Sequence, residues 1–179
     1  MRRLLALLPL LLAAACASAP RGEAPAWQRW SATHGGVLGP AEAGSAYARA
    51  EAALTRIAGA CACEHARVRV LDDSEPAAFA FRDGSLFVTR GLVALLDDGE
   101  LSAALAHEVG HLTRRGDGLP GPEAERLADR LGAELLRASG LSPELMPRML
   151  RRLGGPGVAE RVAALEAAPA PAARVAMAD

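Results

Sequence analysis

Residues 107–111 read His-Glu-Val-Gly-His, and the fold of the chain is decided by what surrounds them. They lie within Glu100 to Arg115, where Leu101, Ala104, Leu105 and Leu112 recur at helical spacing and predict a helix with a buried side. Histidines four apart on a helix are separated by ~6 Å along the axis and ~40° around it, so both rings lean from one face toward a shared point. A Zn²⁺ fits there, about 2.0–2.1 Å from one nitrogen of each ring. Glu108, about 100° round from His107, borders that point without having to coordinate, the place for a general base that takes a proton from water at the metal. The competing reading is a pair of surface histidines beside a carboxylate, and five residues alone do not separate the two.

A catalytic zinc site requires a third protein ligand and an open position. No histidine follows His111, so that ligand has to be a carboxylate. The breaker "GDGLPGP" (116–122) ends the first helix, and a second is predicted from about Glu123 to Ala138. A turn of that length folds the two helices antiparallel, which brings Glu125 level with His111 to within about one helical turn. Glu123, nearer the turn, is the competing ligand. Asp129 lies four residues beyond Glu125 on the same face, where it can accept the second N–H of a ligating imidazole; its alternative is a surface ion pair with Arg126 or Arg130.

The stretches "FVTRGLVALLDDGELSAALAHEVGHLTRR" (87–115), "ERLADRLGAELLRASGLSPELMPRML" (125–150) and, more weakly, "GPGVAERVAAL" (155–165) resemble the HtpX, Oma-type and CAAX prenyl protease zinc metallopeptidases, peptidase family M48. The resemblance runs from about Tyr47 to Leu165. It implies an α+β fold, a mostly helical glutamate-ligand zincin of gluzincin type with a small β-hairpin sheet beside the zinc-binding helix. It also implies one Zn²⁺ per chain on His107, His111 and Glu125, the glutamate of E-x-x-A-D, with Asp129 behind them. The implied activity is that of an endopeptidase on polypeptides, and exported relatives are similar to proteases that degrade misfolded envelope proteins. The hairpin at 77–90 would offer its edge to an extended substrate, so that Phe79 and Phe81 contact it. Three departures stand out. The family's Asn-Ala-Phe is Ala77-Ala78-Phe79 here, the stretch between His111 and Glu125 is short, and the family's His-Pro is Gly155-Pro156. Arg161 matches the arginine that follows, and is left as the candidate for stabilising the oxyanion. These losses motivate an alternative, a proteolytically weak or inactive chaperone-like envelope lipoprotein that keeps the fold.

Outside this centre the chain reads as one domain, 41–167. Tyr47, Ala50, Leu54 and Ile57 predict a helix over 41–60, and Val68 and Val70 a half-buried strand. Asp83-Gly84 predicts a hairpin turn, and "LVALLDD" a short helix ended by Asp98-Gly99. Further helices are expected over 142–153 and 159–167, and a poorly ordered tail over 168–179. Arg2 and Arg3, the apolar run Leu4 to Leu12 and Ala13 to Ala15 have the three parts of a signal peptide, 1–15. Because Cys16 follows at once, "LLAAAC" resembles a lipobox with Cys16 lipidated as the mature N-terminus; ordinary cleavage after Ala15 or Ala19 is the alternative. The expected location is the periplasm, anchored to the outer membrane, or else soluble there or secreted. Residues 16–40 are expected to be a tether and lead-in, in which Trp27 and Trp30 have no assigned place. The motif "CACEH" (61–65) is read as a strained disulfide or two small buried residues rather than a second metal site. A net charge of −1 argues against nucleic acid and against electrostatic attraction to a bilayer, which leaves the lipid on Cys16 as the membrane contact.

Overall fold

Alternating valines build the sheet. In β2 (Arg67–Leu71) Val68 and Val70 turn into the core, and β4 (Ser85–Thr89) is buried at every position because it lies between two other strands. The computed structural model describes residues 26–61, 66–112, 119 and 121–167, so Cys16, Cys63, His65, segment 1–15 and tail 168–179 lie outside the described residues. The sheet order is β1-β2-β4-β3, with β1 (Val37–Leu38) antiparallel to β2, β2 parallel to β4, and β3 (Ala78–Ala80) antiparallel to β4. The predicted hairpin joins β3 to β4. Gly84 adopts φ 83° at its turn, and the Ser85 N–H donates to Asp83 Oδ1 at 2.9 Å.

Both faces of the sheet are covered. Val68, Val70, Leu86 and Val88 belong to the main core with α3 (Ser45–Ala58) and α5 (Asp98–Leu112). On the opposite face Phe87, fully buried, meets the rings of Trp27 and Trp30 at 5.5 Å, and the Arg69 guanidinium lies 4.4 Å from the Trp27 ring. The expected tether therefore carries structure from Ala26 onward: α1 (Ala26–Ala32), β1 and the start of α2 (Pro40–Ala43). The physical reason is the outer sheet face, which needs an apolar cover and receives the two tryptophans.

Several predicted boundaries move for local reasons. The helix expected over 41–60 is divided into α2 and α3 at Gly44, whose φ of 52° with ψ of −123° suits glycine alone. Asp98-Gly99 opens α5 instead of closing α4 (Arg90–Leu95). The Glu100 N–H donates to Asp97 Oδ1 (2.8 Å) and the Asp97 N–H to Glu100 Oε2 (3.0 Å), a reciprocal cap that starts the helix there. Instead of showing one buried side, α5 is buried at every residue from Glu100 to Gly110, because the sheet, α3, α6 (Gly121–Ala138) and α7 (Leu145–Leu153) enclose it. Helix α7 starts three residues late, after turns in which the N–H groups of Leu145 and Met146 donate to the carbonyls of Ser142 and Pro143, and α8 (Val158–Glu166) follows. Cys61 is disulfide-bonded, and its partner lies outside the described residues. The observed class is α+β, mostly helical with a small mixed sheet.

Candidate metal centre

Two glycines set how closely the helices cross. A Cβ on Gly110 of α5 would stand 2.8 Å from the Ala128 carbonyl oxygen of α6, and one on Gly132 of α6 would stand 3.0 Å from the His107 backbone nitrogen. With no side chain between the backbones, Glu125 of α6 reaches the two histidines of α5. Its Oε2 lies 3.4 Å from His107 Nε2 and its Oε1 3.2 Å from His111 Nε2, while the two imidazole Nε2 atoms are 3.0 Å apart. One donor atom from each of the three residues falls within 4.8 Å of the other two, so the group could hold a metal ion. Two neutral imidazoles and one carboxylate are the donor chemistry of a catalytic zinc site. Glu123 is exposed and stands outside this group.

Behind the group, Asp129 is 1% exposed. Its Oδ1 lies 3.0 Å from His107 Nδ1, at ion-pair distance but off the line of a hydrogen bond. Arg161, brought by α8, donates from Nε and Nη2 to the two Asp129 oxygens at 2.7 and 2.6 Å, and its Nη1 lies 3.2 Å from Glu125 Oε2. All three of its guanidinium nitrogens are thus turned to carboxylates. This geometry makes Arg161 a brace for Glu125 and Asp129 rather than a free donor for an oxyanion.

These neighbours set the charges. Burial opposes a proton on His107, yet Asp129 and Glu125 outweigh it and raise its pKa to about 9 in the metal-free protein. His107 and His111 hold the Glu125 carboxyl well below its usual range. Asp129, whose burial acts the other way, is also lowered by Arg161 and His107. Glu108, 9% exposed, has its carboxyl pushed up by burial against the pull of both histidines.

Comparison with known proteins fits this arrangement. The sequence profile of peptidase family M48 matches residues 46–117. A 75-residue stretch is 35% identical to a protein named "Protease HtpX homolog" from Acidiphilium cryptum (strain JF-5), covering 40% of this chain and 26% of that protein. Over residues 46–117 the chain is thus similar to peptidase family M48. It spans about a quarter of the length of the curated relative that it matches. The M48 stretch contains His107, Glu108, His111 and the strand with Phe79, but stops before Glu125, Asp129 and Arg161. Geometry, not the family match, brings those three to the histidines.

The centre opens into a cleft of about 550 Å³ lined by His107, Glu108, His111, Glu125, the strand Ala78 to Phe81, and Trp30. Strand β3 is an edge of the sheet. Ala77, Phe79 and Phe81 pair with Thr89, Phe87 and Ser85 of β4, so the N–H and C=O groups of Ala78 and Ala80 point to the open side. Ala77, where the family has Asn, donates its N–H to Thr89 Oγ1 at 3.0 Å. Gly155, where the family has His, is exposed. A second cavity of about 170 Å³ behind Ala78 is lined by Leu92, Met149, Leu150 and Leu153 and reaches His107, Glu108 and Arg161. Sequence reasoning missed Gly110, Gly132 and Trp30. The glycines carried a usable signal, since a mid-helix glycine costs stability unless a close approach requires it. Trp30 had none, because its place depends on a strand about fifty residues away.

Proposed function

We propose that this chain is a zinc-dependent endopeptidase of the glutamate-ligand type, with His107, His111 and Glu125 holding the ion and Glu108 as general base. The observation that carries the reading is the His107–His111–Glu125 group beside the open edge of β3. An extended peptide can add to that edge through Ala78 and Ala80, which fixes its backbone next to Glu108. Zinc, when bound, supplies Lewis acidity that polarises the scissile carbonyl and eases loss of a proton from water. Glu108, its pKa raised by burial, takes the proton from the attacking water and delivers it to the leaving amine. Asp129 keeps His107 oriented, and Arg161 keeps Asp129 and Glu125 in place.

Elemental analysis of the dialysed protein should give about one zinc per chain, lost in Glu125→Ala and kept in Glu123→Ala. Glu108→Gln should keep the zinc and abolish cleavage of an unfolded protein substrate. Wild-type protein free of zinc after metal supplementation would sink the reading. A second reading, a proteolytically weak chaperone-like protein, draws on Arg161 being committed to carboxylates, which removes the one oxyanion donor read from the sequence. In that case the wild type degrades little, and Glu108→Gln suppresses aggregation of an unfolded client as well as the wild type does.

We further propose export, with lipid on Cys16 and misfolded envelope proteins as substrates. Among the described residues no helix is long and apolar enough to cross a membrane. Cys16→Ser should release the protein from the membrane fraction and abolish metabolic labelling by a fatty acid; unchanged fractionation and labelling would count against the anchor.

A further inference from the structure

The chain has six aromatic residues apart from histidine, and five of them, Trp27, Trp30, Phe79, Phe81 and Phe87, gather on the outer face of the sheet. Covering that face accounts for two. Phe87 is fully buried, and Trp27 packs against both it and the Arg69 guanidinium. Trp30 shares in that cover through Phe87, but with Phe79 and Phe81 it also does something different. Trp30, Phe79 and Phe81 remain half-exposed and line the cleft that contains His107, Glu108, His111 and Glu125. The Trp30 ring meets Phe79 at 4.5 Å and Phe81 at 5.2 Å, both edge to face, and His34 stacks behind it at 4.1 Å with Nδ1 3.0 Å from the Trp30 carbonyl. Three partly hydrated rings beside a polar centre gain when another ring displaces their water.

Strand geometry says which substrate side chain that is. Along β3, Phe79 and Phe81 point to the outer face and Ala78 and Ala80 to the metal side, where their small side chains leave room for the substrate. In a peptide added to this edge, side chains alternate in the same way, and those on the outer face come level with Phe79 and Phe81. We infer that Trp30, Phe79 and Phe81 form a recognition site for a large aromatic side chain of the peptide substrate, so that the N-terminal helix α1 sets specificity. The inference rests on the peptidase reading for the presence of a peptide, and on the aromatic wall for the choice of side chain.

The test uses the zinc-loaded full chain carrying Glu108→Gln and ten-residue Gly/Ser peptides with one central Phe, Leu or Ser, titrated by calorimetry. The Phe peptide should bind at least 10-fold more tightly than the Ser peptide. Adding Trp30→Ala should reduce that ratio to below 2-fold, Trp30→Phe should keep most of it, and zinc content should not change. If Trp30→Ala fails to fold, Phe81→Ala at the end of the wall takes its place. Equal binding of the Phe and Ser peptides, a preference that survives Trp30→Ala, or no binding of any peptide would overturn the inference. The peptidase reading fails separately: wild type then hydrolyses nothing, while the Glu108→Gln protein still selects the Phe peptide.

Discussion

At Asp129 a carboxylate is almost wholly removed from water and holds its charge through Arg161 and His107. Arg161→Gln leaves it with one partner. Breaking a buried pair costs about 3–5 kcal/mol, and since Arg161 keeps a fifth of its side chain in solvent, a loss of about 2–3 kcal/mol in urea unfolding is expected. Zinc affinity in a competition titration should fall by about 10- to 100-fold, as for other groups that orient a ligand. A variant with normal zinc affinity and a lower kcat would return Arg161 to the oxyanion. His107 gives a pH signature. Its pKa rises from 6.5 unfolded to about 9 in the folded metal-free protein, so the stabilisation it supplies is complete below about pH 6.5 and is lost as pH rises through about 9. The Tm of the metal-free protein should fall over that interval. Zinc requires the neutral ring, so binding at pH 7.5 should release about one proton, measurable as buffer-dependent heat in calorimetry.

The crossing of α5 and α6 is where elements become a site. Its closeness depends on Gly110 and Gly132, and the spacing of Glu125 and Asp129 along α6 matters only once that crossing is set. Gly110→Ala gains about 1 kcal/mol of helix propensity, but it places a methyl 2.8 Å from a backbone oxygen that cannot swing aside. Overpacking of this kind costs about 1–3 kcal/mol, so a net loss near 1 kcal/mol is expected in thermal unfolding, with weaker zinc binding as Glu125 is pushed back. Unchanged zinc affinity would show that the crossing does not position Glu125. The helix carrying His107 and His111 was legible because both ligands sit on one local period. Its start was misread because Asp98-Gly99 looks like a turn, although Asp97 followed three residues later by Glu100 is the capping signature that overrides it.

For the molecule as a whole, the N-terminal residues complete a sheet that would otherwise have one bare face. A chain starting at Gly39 lacks α1 and β1 and leaves Phe87 open to water. Re-exposing that ring alone costs about 2–3 kcal/mol, and the truncated protein should unfold at lower urea and bind a hydrophobic dye. Unaltered stability would restore the domain boundary at residue 41. At the other end of α5, Glu100 is fully buried between Arg148 and Arg152 of α7, which ties that helix to the one bearing the histidines.

By itself the sequence determined what depends on near neighbours: a helix presenting His107 and His111 together, the Asp83-Gly84 hairpin, and a carboxylate as the remaining donor because no histidine follows. These follow from periodicities of two and 3.6 residues and from turn chemistry, which act over a few positions. Only the tertiary structure decided that Glu125 and not Glu123 meets the histidines, that Arg161 braces carboxylates, and that Trp30 walls the cleft. Each of these depends on how closely two helices cross or on which strands lie side by side. Those distances are set by packing between residues far apart in the chain, which no local spacing encodes.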